Sequence, residues 1–144
     1  MKSEDESAGR RMNIFSVCIG DQVIVYADAG FVFFGRASGI SWGSLVLSNC
    51  REISMDREQI GHLEIDSQKI VAIGREGIGD AFKKKNRPAK YFTEGGFIFS
   101  GKLAEDDLGK NLFLLEFSEL GRHHTFRNHT LELCRRCVVA QFRS

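Results

Sequence analysis

The sequence predicts an all-β protein made of two tandem small barrels, on three observations. First, the chain is written twice: Gly30-Phe31-Val32-Phe33-Phe34-Gly35-Arg36-Ala37 returns 66 residues later as Gly96-Phe97-Ile98-Phe99-Ser100-Gly101-Lys102-Leu103. Leu63-Glu64-Ile65 with Ile70-Val71-Ala72 returns 68 residues later as Leu131-Glu132-Leu133 with Val138-Val139-Ala140. A fixed period of this length marks a duplicated fold unit, and the small drift needs only short loop insertions. Second, 12 Phe and a single Pro accompany short Val-, Ile- and Phe-rich runs set between Gly, Asp, Asn and Ser clusters, the pattern of short strands and turns. Third, no stretch sustains a long 3.6-residue period.

The elements follow in order. Residues 1–12 are polar and charged and read as a disordered leader. The first barrel spans 13–75, with strands expected near 22–28, 30–37, 43–49, 62–66 and 68–73; 13–19 reads as an extra strand or a short helix. Residues 76–88, carrying Lys83-Lys84-Lys85, read as an exposed linker. The second barrel spans 89–144, with strands near 89–93, 96–103, 110–117, 128–134 and 136–142. Five short strands per copy suit a small closed barrel, because closure removes exposed edges. Gly35 and Gly101 stand at matched places inside long strands, where glycine marks a sharp bend. Phe31 and Phe33 match Phe97 and Phe99, with Val32 and Ile98 between them. Strands apolar on both faces are covered on both, so the two barrels should pack on each other or on further copies.

Each copy is close to the lower size limit for an independent core, which again points to shared burial or a homo-oligomer. Net charge is +1, so a polyanion site has to be local. No apolar run is long enough to span a membrane, and residues 1–11 lack the apolar segment of a secretory signal. Four cysteines without such a signal indicate reduced thiols and a cytoplasmic location.

The motifs resemble the Sm and Sm-like family of SH3-like barrels. That family's first motif has a glycine, a hydrophobic residue three positions on, glycine-any-hydrophobic, then Asp and Asn at four-residue steps before a hydrophobic strand. Gly96, Phe99, Gly101, Leu103, Asp107, Asn111, Leu112 and Leu114 stand at those spacings. The first copy keeps Gly30, Phe33, Gly35 and Ala37 but lacks the Asp and Asn. The family's second motif, hydrophobic-Arg-Gly, is replaced by Ile65-Asp66-Ser67 and Leu133-Cys134-Arg135. The resemblance implies rings that bind single-stranded RNA, with Asn111 as a base contact oriented by Asp107, and with Arg135 and Arg136 beside the place of the family arginine. A weaker similarity over 26–53 is to phage Thoeris anti-defence proteins that sequester cyclic nucleotides, which are oligomeric and non-enzymatic.

Candidate chemistry is sparse. Cys134-Arg135-Arg136-Cys137 near His123, His124 and His129 has zinc-like spacing. The duplication maps Cys134 and Cys137 onto Asp66 and Lys69, so they are read as thiols and no metal or cofactor is expected. The histidines accompany no nucleophile motif and read as loop residues. Glu105-Asp106-Asp107 reads as a solvated hairpin tip. Trp42, in the loop 38–43, either stacks on a base, worth about 1–3 kcal/mol, or closes a barrel end or an interface. Lys110 flanks Asn111. The sequence therefore predicts a non-catalytic protein binding single-stranded RNA or a nucleotide through Trp42, Asp107, Lys110, Asn111, Arg135 and Arg136. The alternatives are a sponge for cyclic nucleotide signals and a protein-interaction or structural module.

Overall fold

A computed structural model of the chain describes residues 15–41, 43–54, 59–76, 84–104, 111–120, 124–125 and 129–143. The protein is all-β. Its strands are β1 (Gln22–Ala27), β2 (Val32–Ser41), β3 (Ser44–Glu52), β4 (Gln59–Asp66), β5 (Ile70–Glu76), β6 (Lys84–Thr93), β7 (Ile98–Ala104), β8 (Asn111–Glu119), β9 (His124–Thr125), β10 (His129–Cys134) and β11 (Val138–Arg143). Three-residue 3-10 turns join β1 to β2, β4 to β5, β6 to β7 and β10 to β11.

The duplication holds at the level of backbone detail. Within each copy the five main strands pair in the same order, β5-β1-β2-β3-β4 and β11-β6-β7-β8-β10. The β1–β5 ladder slips between Tyr26 and Ala27, and the β6–β11 ladder slips at the matching place, between Val138 and Ala140. Opposite Gly35 and Gly101 the ladders also break register, at Phe34/Arg36 and at Ser100/Lys102. The facing strands there carry Asn49 and Glu116, with φ of 50° and 52°. A side chain at either glycine would strike the next strand: a Cβ on Gly101 would lie 2.9 Å from the Leu115 carbonyl oxygen, and one on Gly35 3.1 Å from that of Ser48. The sharp bend expected from these two glycines is therefore a close backbone approach.

The expected strands are present, with ends shifted by a few residues. One difference is larger: β6 begins at Lys84, inside the stretch expected to be a linker. Its first pairs are Lys84 with Ala104 and Arg87 with Leu103, so the basic run enters the sheet through an irregularity. Of the 13–19 segment, Ser16 to Cys18 has no regular structure. The proposed leader lies outside the described residues.

The pairing does not form two separately closed barrels. β5 of the first copy pairs antiparallel with β10 of the second, joining both into one sheet whose path runs from β11 to β4; β9 pairs only with β8. One sheet passing through both copies lets them share a core, which so small a unit needs. Tyr26 of β1 sits edge-on against Phe97 and Phe99, at centroid distances of 5.2 and 4.8 Å, and near Phe117 at 6.3 Å. All four rings are fully buried, and such edge-to-face pairs add about 0.5–1.5 kcal/mol beyond burial. The first-copy counterparts differ: Phe31 stacks on Phe33 at 6.2 Å but is 40% exposed.

Candidate functional site

The sheet brings two of the nominated groups together. In the β8–β10 ladder Asn111 stands opposite Cys134, and the chain then turns through Arg135–Cys137. Asn111 and the Arg135-Arg136 pair thus share one end of the sheet. Both arginines are exposed. A guanidinium offers a planar fork of donors suited to phosphate oxygens. In the first copy the matching end has Ser44 opposite Asp66, followed by the turn Ser67–Lys69, so the double arginine belongs to one copy only. Trp42, Asp107 and Lys110 lie outside the described residues, as do His123, Lys83 and the acidic run 105–107.

Asn111 is 5% exposed, and its Nδ2 donates to Glu132 Oε2 at 2.9 Å. The carboxylate that orients it within the described residues is thus Glu132, a residue the sequence reading did not nominate. Glu132 Oε1 accepts from the Ser16 backbone N–H at 2.8 Å and lies 3.6 Å from Arg75 Nη2. Arg75 Nη1 donates to the Ser16 carbonyl and lies 3.6 Å from Asp21 Oδ2. Arg75 and Glu132 are 4% and 2% exposed. Burial raises the Glu132 carboxyl above its ordinary 4.5, against the pull of Ser16, Asn111 and Arg75. This network ties the segment before β1 to the joint between the copies, and it holds the Asn111 amide still. Its sequence signal was available: Arg75 and Glu132 are charged residues in largely apolar strands, and each recurs 68 positions away, as Arg143 and Glu64.

Cys134 and Cys137 flank the arginines. Both are buried, and all four cysteines are free thiols. Cys134 is lowered from 9.0 to about 6, first because Cys137 hydrogen-bonds to it, with further help from the Arg136 backbone N–H and guanidinium. Cys137 is displaced upward by the same bond and by burial. Burial alone pushes Cys50 up to about 11. Among the described residues no cluster of three or more His, Cys, Asp or Glu could hold a metal ion, and no helix is long and apolar enough to cross a membrane. This end of the sheet therefore presents the exposed guanidinium groups of Arg135 and Arg136, beside a buried Asn111 whose amide donates to Glu132 and beside two buried thiols. No protein-family model, curated protein or solved structure matches the chain.

Proposed function

We propose that the protein is a non-catalytic binder of single-stranded RNA or of a nucleotide, built from two Sm-type, SH3-like units that are fused through β5 and β10. The observation that carries this reading is the β8–β10 register, with Asn111 opposite Cys134 and next to the exposed Arg135-Arg136. That register supports the reading because two exposed arginines stand at the sheet end that carries Asn111, even though the Asn111 amide itself donates to Glu132. With a net charge of +1, affinity has to come from these local charges and from base stacking, not from a global field. Free thiols agree with a reducing cytoplasm.

The test is fluorescence anisotropy with labelled oligouridine, labelled oligoadenosine and a labelled cyclic dinucleotide. Arg135→Ala with Arg136→Ala is the appropriate variant, because both side chains are exposed. Asn111 is a poor target, since its removal strips a partner from buried Glu132. The double variant should lose about tenfold or more in affinity at unchanged melting temperature, in keeping with two charge-assisted contacts. Equal affinity for the dinucleotide and for longer RNA would identify a nucleotide sponge. No binding of any probe by the parent protein would remove the reading altogether.

A further inference from the structure

One turn of the second copy carries a pair of groups that its counterpart in the first copy lacks. Each copy links its last two main strands through a three-residue 3-10 turn, Ser67–Lys69 between β4 and β5 and Arg135–Cys137 between β10 and β11. The two turns share their geometry. Asp66 enters the first with φ -61° and ψ 124°, and Cys134 enters the second with φ -69° and ψ 122°. Ile70 and Val138 leave them, each donating its backbone N–H to the first carbonyl of the turn, Ser67 or Arg135. The chemistry is what differs: at positions 68 residues apart, Asp66 is replaced by Cys134 and Lys69 by Cys137.

Asp66 shows what its position does. Its Oδ1 accepts from the Gln68 backbone N–H at 2.9 Å. Cys134 inherits that donor, because the backbone N–H of Arg136, the counterpart of Gln68, hydrogen-bonds to its sulfur. The exchange also moves the pair inward. Asp66 and Lys69 are exposed, whereas Cys134 and Cys137 are 7% and 9% exposed, and the Cys137 thiol donates to Cys134. Only Arg135 and Arg136 stand between them. A 3-10 turn brings side chains three apart onto one side and sets their Cα atoms about 6 Å apart, inside the span of about 4.4–6.8 Å that a disulfide bridges.

We propose that Cys134 and Cys137 form a reversible thiol–disulfide site, in which a small peroxide oxidises Cys134 first and Cys137 resolves it. The site goes beyond the ligand reading above and does not rest on it. The Cys134 thiolate attacks one peroxide oxygen; the S–O bond forms, the O–O bond breaks, and hydroxide leaves with the electron pair. Cys134 is then a sulfenic acid. The Cys137 sulfur attacks Cys134 Sγ, the S–S bond forms as the S–O bond breaks, and the departing hydroxide takes the Cys137 proton and leaves as water. The two sulfurs lose two electrons and the peroxide gains them. A dithiol reverses the oxidation by exchange.

The division of roles follows from the surroundings. Cys134 gathers donors from Cys137 and from the Arg136 N–H and guanidinium, all of which favour its thiolate, the nucleophilic form. Cys137 is displaced upward by its bond to Cys134, by burial and by the charges of Cys134 and Glu94, against the pull of Arg136. Oxidation of Cys134 removes that neighbouring charge and so frees Cys137 to act second. The narrow exposure of both sulfurs suits a peroxide and keeps bulky disulfides away. Transient disulfides of this kind are the ones reducing compartments hold.

Peptide mapping of the full chain tests the site, in a Cys18→Ser background that removes the exposed thiol. Brief treatment with one equivalent of hydrogen peroxide is followed by N-ethylmaleimide in denaturant and digestion without reduction. Trypsin, cutting after Arg135 and Arg136, leaves the two cysteines in separate peptides that only a disulfide holds together. These peptides should be recovered linked, with Cys50 in its blocked, reduced form, and dithiothreitol added before blocking should abolish the link. Cys137→Ser should stop at the sulfenic acid, trapped on Cys134 by dimedone, and Cys134→Ser should leave Cys137 unoxidised. The map of the Cys18→Ser chain stands whether or not either further variant folds. Two unlinked thiols after peroxide, a sulfinic acid on Cys134 with Cys137 still free, or dimedone on Cys137 in the Cys134→Ser chain would each overturn the proposal.

Discussion

Arg75 of β5 and Glu132 of β10 meet at 3.6 Å across the seam where one copy of the repeat ends and the other begins, and both are almost fully buried. A buried pair of this kind is a weak source of net stability but an expensive one to break. It fixes register: a slip of one residue would turn Glu132 to the other face of the sheet, away from Asn111 and Ser16. The duplicated chain thus uses charge at the seam to define how the copies join.

Removing the cation exposes the cost. Arg75→Ala should destabilise the protein by about 3–5 kcal/mol at neutral pH, because the Glu132 carboxylate stays buried without its counter-charge. Burial has already raised that carboxyl above 4.5, so what it contributes to stability is fully present below about 4.5 and is lost as pH rises through the folded value. Without Arg75 the folded value climbs further. The deficit of the variant should therefore shrink on acidification and grow on the basic side. Urea unfolding of both proteins at mildly acidic and mildly basic pH measures it, and a deficit that does not vary with pH would refute this account.

Gly101 supports a second expectation. A methyl group there would meet the Leu115 carbonyl oxygen at 2.9 Å and the Phe117 Cα at 3.2 Å, and both are backbone atoms that cannot rotate away. Gly101→Ala should cost about 1–3 kcal/mol, the usual range for overpacking. Gly39→Ala is the control, since its nearest neighbour is a Val46 side-chain carbon at 3.8 Å, an ordinary contact. Thermal melts that show the two variants equally stable would mean that β7 and β8 can separate at this close approach.

What could be read from the sequence was local. Strand positions and the special standing of Gly35 and Gly101 were legible because alternation and glycine placement act within a few residues, though these glycines mark a close backbone approach where a bend was expected. The duplication was legible because it is a property of the string. The seam was not, since pairing β5 with β10 joins segments over fifty residues apart and no short pattern encodes it. Asn111 shows the same limit at the candidate site: the motif spacing nominated the residue, but only the register shows its amide turned to Glu132. The Lys83–Lys85 run read as a linker because charge suggests solvent, yet a strand with an irregular start accepts it from Lys84 onward. Phe31 and Phe97 read alike and differ in burial, because only the second has the other copy lying over it.

Cys134 gives the candidate site a reporter. Its thiol is lowered to about 6, chiefly by the hydrogen bond from Cys137 and secondarily by Arg136, which favours the thiolate, the form that alkylates. Cys50 is pushed up to about 11 and is fully buried, so it should stay inert. In a Cys18→Ser background, iodoacetamide should modify Cys134 with a rate that rises through about pH 6. The absolute rate will be slow, because the residue is 7% exposed, but the shape of the profile does not depend on access. Cys137→Ala should move that midpoint up the most and Arg136→Ala by less, following the order of the two causes. Peptide mapping after timed labelling reads the midpoint directly. A rate that rises only near 9, the ordinary value of an isolated thiol, would show that Cys137 and Arg136 do not act on Cys134 in solution.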